Sequence, residues 1–220
     1  MTARKAANGA SSMAPRLRRP YAARVPIEQR RDQLLDAAIA VIVRDGFDKV
    51  SIEAIASEAG VTRPVVYGAY DGLQPLLFAL LDRQQARALA QLAERIPALT
   101  DLTEPESTVL QAMQAWMEGV VAEPLTWLPI LAAQQGVPEP VRERIRAGRE
   151  TTRQQFAAII EAVFTAPDGS PLDAEVTSHM LLAILERFGQ LLLEDPHQYE
   201  PERLVAALKV VITSLCGTSG

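Results

Sequence analysis

Apolar residues recur every three or four positions along almost the whole chain, and no β-branched-rich stretch alternates apolar with polar residues between hairpin turns. A chain with that period buries stripes of helix rather than faces of sheet, so the expected fold class is all-α, with about nine helices. The first should run from about Ile27 to Asp45, with Leu34, Leu35, Ala38, Ile39, Ile42 and Val43 on one broad stripe and Arg30, Arg31, Asp32 and Arg44 outside it. Gly46 ends it, because glycine takes the left-handed turn after a helix without a Cβ penalty. Ser51 is a good N-cap for a helix Ile52 to Ala59, and Thr62 for a short helix reaching about Tyr70. Asp71-Gly72 breaks the chain before a long helix from Leu73 to about Arg95. Further helices are expected near 104–122, 124–133, 139–164, 172–195 and 201–216, separated by signals such as Pro97, Gly136-Val-Pro138 and Asp195-Pro196.

A length of 220 residues exceeds one compact three-helix module and suits such a module with a larger domain behind it. The single cysteine, Cys216, excludes an internal disulfide, and with only His179 and His197 beside it no structural zinc site can form. The most apolar run, Met180 to Leu193, is interrupted by Glu186, Arg187 and Gln190, and falls short of the ~20 residues that cross a bilayer. The N-terminus lacks the apolar stretch of a signal peptide, so a cytoplasmic protein without a membrane partner is expected. No Gly-rich phosphate loop, metal-ligand cluster or nucleophile with a base is present, which argues against an enzyme and calls for no cofactor.

The net charge of −5 conceals an asymmetry. Residues 1 to 72 hold 11 Lys or Arg against 8 Asp or Glu, whereas residues 73 to 220 hold 11 against 19. Arg4, Lys5, Arg16, Arg18, Arg19 and Arg24 meet no acidic residue within the first 27 positions. Residues 1–24 therefore read as a basic arm able to follow a phosphate backbone, with a passive tail as the alternative for residues 1 to 15.

The segment from Ser51 to Tyr67 meets the steric requirements of a helix-turn-helix. Ala56 is small where two helices cross, Gly60 can take the left-handed conformation of a sharp turn, and Val66 can face a small core with Ile55 and Val61. Pro64 is tolerated in a first helical turn, where its missing N–H is not needed. With Gly46-Phe47, Val61-Thr62, Val66-Tyr67, Tyr70 and Leu76-Leu77, the region from about 27 to 80 resembles the DNA-binding domain of the TetR family of bacterial regulators. The resemblance implies a helix-turn-helix DNA-binding domain over 25–72 and a helical effector-binding and dimerisation domain over 73–220.

It also implies that the short helix after Thr62 enters the major groove, with Arg63, Pro64, Val65 and Tyr67 near base edges. Arg63 suits guanine O6 and N7, and Pro64 and Val65 suit thymine methyls. Ser51, Thr62 and Tyr67 can reach phosphates through their hydroxyls. Where the family often has a polar or aromatic residue, a His and a Lys touching the backbone, this chain has Gly68, Ala69 and Leu73. The arginines Arg16, Arg18, Arg19 and Arg24 are expected to replace those contacts in part. The bland alternative is a helix-turn-helix used only for packing.

The resemblance places a homodimer interface on the last two helices. Leu181, Leu185, Phe188, Gly189 and Leu192 are candidates on one, and Leu204, Leu208, Val211 and Leu215 on the other, with an all-round buried core helix as the alternative. An apolar effector pocket is expected among the middle helices. Met113, Trp116, Met117 and Trp127 are candidate lining residues and equally candidate core. His179 and Glu186, seven apart on one face, read either as polar anchors for a ligand or as structural groups. The resulting expectation is a repressor that binds pseudo-palindromic double-stranded operator DNA as a dimer and is released by a small molecule. The competing reading is a ligand-independent architectural DNA-binding protein.

Overall fold

The computed structural model describes residues 25–95, 105–131, 136–165 and 169–216. Among them the chain forms nine α-helices: α1 (Ile27–Asp45), α2 (Ile52–Glu58), α3 (Arg63–Tyr67), α4 (Leu73–Arg95), α5 (Pro105–Ala122), α6 (Pro124–Leu131), α7 (Glu139–Val163), α8 (Ala174–Glu194) and α9 (Pro201–Cys216). A 3-10 turn, Phe47–Lys49, joins α1 to α2. The fold is all-α, and the helices begin and end within a few residues of the positions set by the sequence period. The short α3 is the exception, closing at Tyr67 rather than Tyr70. The Gly68 N–H bonds back to the Pro64 carbonyl at 2.9 Å, and the chain then turns through Gly72 at φ 110° into α4.

Two hydrophobic clusters organise these helices. The first joins α1, the 3-10 turn, α2, α3 and the start of α4 around Leu34, Ile42, Ile55, Val66, Leu76 and Leu80. Val137 and Val141, at the start of α7, belong to the same cluster. Val43, expected on the buried stripe of α1, is instead 47% exposed, because the stripe that packs is centred on Leu34, Ala38 and Val41. The second cluster gathers the far part of α4 with α5, α6, α8 and α9 around Met117, Val120, Trp127, Leu192 and Leu208. Within it α9 rests chiefly on α5, whereas α8 lies along α7 and also touches α5. No helix among the described residues is long and apolar enough to cross a membrane.

Candidate nucleic-acid interface and apolar cavity

The helix-turn-helix is assembled by backbone capping and two buried side chains. Ser51 sits in extended conformation, and its Oγ accepts the Ala54 N–H at 3.1 Å, satisfying one of the open donors of α2. Gly60 takes φ +64°, a conformation that costs glycine little, and the Val61 N–H then bonds the Ala56 carbonyl at 2.9 Å. Ile55 and Val66, both fully buried, pin α2 against α3. Pro64 stands in the first turn of α3. Thr62 occupies the N-cap position, but its side chain makes no cap hydrogen bond there.

Everything else on α3 faces outward. Thr62, Arg63, Pro64, Val65 and Tyr67 are all exposed, with Tyr67 at 50%. Apolar and aromatic groups turned to solvent on so short a helix have no packing role in the chain itself. Ser51 is half-buried, and its hydroxyl proton remains available while its oxygen caps α2. Arg63 forms an exposed ion pair with Glu53 of α2 at 3.0 Å. The sequence reading missed Glu53. The signal was its place at the second position of α2, which the sharp Gly60 turn brings beside the first position of α3.

Three side chains of α1 fasten the open ends of the motif. Gln33 Nε2 donates to the Ala59 carbonyl at 2.8 Å, and Arg31 Nε donates to the Ala69 carbonyl at 3.2 Å. Arg44 pairs with Glu58 at 2.6 Å and also with Asp45. Those hydrogen bonds and charges, Asp45 foremost, hold the Arg44 guanidinium firmly in its charged form. The Arg31 guanidinium lies 5.8 Å from the Tyr70 ring, whose phenol is pushed above its ordinary value chiefly by burial. These contacts satisfy carbonyls at the C-terminal ends of both helices and fix how far α3 projects. Gly68 is exposed, Ala69 buried and Leu73 packed against the first core, so none of the three offers a charge to a phosphate. Arg16, Arg18, Arg19 and Arg24 lie outside the described residues.

In the other half an apolar cavity of about 210 Å³ opens between α5, α7, α8 and α9. Met113, Phe156, Ile160, Leu181, Ile184 and Val211 are among its walls, and among the described lining residues Thr177 alone has a polar side chain. Of the six residues expected to line a pocket, Met113 alone does so. Trp116 and Trp127 meet edge to face at 5.8 Å in the core, and the Trp127 indole N–H donates to Gln91 Oε1 at 2.7 Å. Met117 is completely buried. His179 is exposed, and Glu186 pairs with Arg149 across the α7–α8 seam.

Gly189 supplies the physical reason for this placement. A Cβ there would stand 2.6 Å from Leu131 Cδ1 and 3.1 Å from the Trp116 ring, so those two side chains fill the space between α5, α6 and α8. The close approach made by Gly189 is therefore to its own chain, not to a partner. Leu185, Leu192, Leu204 and Leu208, expected at a subunit interface, are likewise buried by their own protomer. Leu181 and Val211 line the cavity, and Phe188 packs half-buried against the second core. The Leu215 side chain lies outside the described residues. Among the described residues the exposed large apolar side chains on α8 and α9 are Val176 at 62%, Met180 at 40% and Val210 at 67%, together with the expected Val211 at 39%. The period of α8 and α9 marks several apolar faces without saying which one turns inward.

Comparison with known proteins adds the evolutionary context. Residues 34–80 match the family model of the bacterial regulatory proteins of the tetR family. The chain is 38% identical over 81 residues to the HTH-type nicotine-responsive transcriptional repressor HdnoR of Paenarthrobacter nicotinovorans, covering 37% of this chain and 40% of that one. It is 30% identical over 95 residues to the HTH-type transcriptional activator FasR of Mycolicibacterium smegmatis, covering 43% of each. The matched segments thus span less than half the length of these curated relatives, which are transcription regulators rather than enzymes. At the level of fold the likeness extends further. A TetR-like transcriptional regulator from Rhodococcus sp. RHA1 superposes with a TM-score of 0.69 at 21% identity, covering 89% of this chain and 100% of that one. NalD, the secondary repressor of the MexAB-OprM multidrug efflux pump in Pseudomonas aeruginosa, superposes with a TM-score of 0.64 at 21% identity over 88% and 98% of the two chains. Over residues 34–80 the chain is thus similar to the tetR family of bacterial regulatory proteins, and the described helices together share the fold of TetR-like regulators.

Proposed function

We propose that the protein is a ligand-responsive transcriptional repressor that binds a pseudo-palindromic operator as a homodimer and leaves it when a small apolar effector enters the cavity. Residues 1–24 serve as a basic arm, 25–72 contact DNA, and 73–220 carry the effector and pairing functions. The observation that carries this reading is the outward row Arg63, Pro64, Val65 and Tyr67 on a helix whose inner residue, Val66, is fully buried. Arg63 reads guanine, Pro64 and Val65 meet thymine methyls, and Ser51, Thr62 and Tyr67 meet phosphates. Glu53 holds Arg63 extended in the unbound protein and releases it to the base edge.

One short helix reads too few base pairs to select a site in a genome, so two copies are needed. The exposed Val176, Met180 and Val210 supply the apolar surface for pairing. The almost wholly apolar walls of the cavity favour an uncharged, hydrocarbon-like effector. That chemistry also separates a regulator from a purely architectural protein, which has no use for a cavity.

Selection of duplexes from a random library tests the reading. It should enrich an inverted repeat whose half-sites lie about 34–36 Å apart or a multiple of that distance. Enrichment of unrelated sequences, or of single half-sites bound by a monomer, would overturn it. Deleting residues 1–23 should make the slope of log K against log salt shallower by about 0.9 for each phosphate the arm had neutralised. An unchanged slope would show that the arm touches no phosphate.

A further inference from the structure

We infer that α7 is the lever that couples the apolar cavity to the DNA-binding helices, an inference that rests on the effector role proposed for the cavity. Among the described residues α7 is the only helix that both lines the cavity and enters the first core. Phe156, Ile159 and Ile160, in its second half, form cavity wall. Val141, in its first turn, and the preceding Val137 are buried in the core that holds α2 and α3. No residue of α1 to α4 lines the cavity, so α4, the other long helix shared by the two cores, has no surface there.

The DNA-side end of the lever is seated with little play. Gly136, at φ +76°, approaches the 3-10 turn so closely that a Cβ would stand 2.5 Å from Asp48 Cβ and 2.8 Å from Asp48 N and Cα. Asp48 lies three positions before Ser51, the cap of α2. Along its length α7 is fastened by Arg144, which pairs with Asp82 and lies 5.6 Å from the Phe78 ring, and by Arg149 paired with Glu186. Arg153 adds a hydrogen bond to the buried Ser178 at 3.1 Å. A helix of 25 residues is about 37 Å long and transmits a displacement of one end to the other if it stays straight. A ligand that spreads Phe156 and Ile160 therefore shifts Gly136 against Asp48 and tilts α2 and α3 together.

The lever can be softened in its middle without touching either end. Ala147 and Thr151 are exposed and flank Gly148, whose Cβ position is empty. The double variant Ala147→Gly, Thr151→Gly places three glycines within five residues, and Gly148→Ala does the reverse. Affinity for a duplex selected by the native protein is measured with and without saturating N-phenyl-1-naphthylamine, an uncharged apolar fluorophore. The native protein should show a change of about 5- to 150-fold, the usual range of allosteric coupling. The double variant should bind probe and duplex separately as the native protein does, yet lose most of that change, and Gly148→Ala should retain or enlarge it.

An unchanged ratio in the double variant overturns the lever while leaving the cavity as the effector site. Probe binding that leaves native DNA affinity unaltered overturns the coupling, and failure of the native protein to bind the probe overturns the effector reading together with the lever. Should the double variant not fold, Gly148→Ala decides alone, and a ratio below the native one overturns the lever.

Discussion

The two cores of this protein use similar aliphatic side chains but put their functional surfaces in opposite places. The first turns α3 outward, so its candidate DNA contacts are convex, exposed and close together between Ser51 and Tyr67. The second keeps an inward hollow whose lining is drawn from Val109 to Ile212. A convex site on a short helix needs only local stereochemistry to be presented correctly: a cap, a glycine turn and one or two buried anchors. A concave site exists only if four helices stop packing at the same place, and that depends on what fills the space beside it. Here Leu131 and Trp116 fill that space against Gly189, and the hollow lies one layer further along, among α5, α7, α8 and α9.

The largest effect is expected where that filling is forced apart. Gly189→Trp must drive an indole into Leu131 and Trp116, and overpacking of this severity should remove at least about 3 kcal/mol of stability. Because α4 and α7 are shared by the two cores, both halves should melt in one transition at a lowered temperature. Differential scanning calorimetry with sedimentation on the same sample checks this. A variant that melts like the native protein but associates more weakly would mean that Gly189 faces a second subunit after all.

A smaller loss follows from a polar knot in the second core, at Gln91. Gln91 is 5% exposed, accepts the Trp127 indole N–H and donates from Nε2 to the Gly119 carbonyl at 3.1 Å. Gln91→Met keeps the volume and abandons both partners in a dry setting. The expected cost is about 3 kcal/mol, since each orphaned buried group is worth about 1–3. Trp127→Phe on top of it should recover part of the loss in urea unfolding. Equal stability of the single and double variants would show that water reaches the indole.

What the sequence revealed divides along the same line. Helix positions, the caps of α1 and α2 and the inward Val66 were legible because each follows from a local signal: period, a serine, a glycine, a proline in a first turn. The outward set on α3 was legible for the same reason. The apolar partners of α8 and α9 were not, since Leu185, Leu192 and Leu208 are equally apolar whether they face their own core or another chain. Trp116, Met117 and Trp127 looked as suitable for a pocket as for a core, and only tertiary contacts decide between them: Trp116 packs toward Gly189, Trp127 bonds Gln91 and Met117 is completely buried. Glu53 escaped because its pairing with Arg63 depends on the crossing geometry of two helices.

On the convex side the comparable change is milder. Arg63→Ala leaves the fold untouched, because its pair with Glu53 is exposed on both sides, and such pairs are worth about 0–1 kcal/mol. Binding to a selected duplex should weaken by about 2 kcal/mol, with base preference relaxed at one position per half-site. Equal losses for selected and random duplexes would reassign Arg63 to a phosphate.

The smallest effect belongs to the α7–α8 seam. Glu150 accepts from Arg153 through Nε at 2.8 Å and Nη2 at 2.6 Å, and from Gln154 Nε2 at 2.9 Å. Arg153 foremost holds the Glu150 carboxyl down to about 2, well below its ordinary value of 4.5. A carboxyl depressed in the folded state stabilises it fully above the unfolded value. That contribution is lost as pH falls from about 4.5 through about 2. Glu150→Gln removes the titration while keeping a hydrogen-bond acceptor for Arg153. The native and variant melting temperatures should therefore differ slightly at pH 6 and converge near pH 2. The gap stays small because water and salt screen an exposed pair, and Arg153 keeps its bond to Ser178. A gap that persists unchanged into acid would show that Glu150 acts through its shape on α7 rather than through its charge.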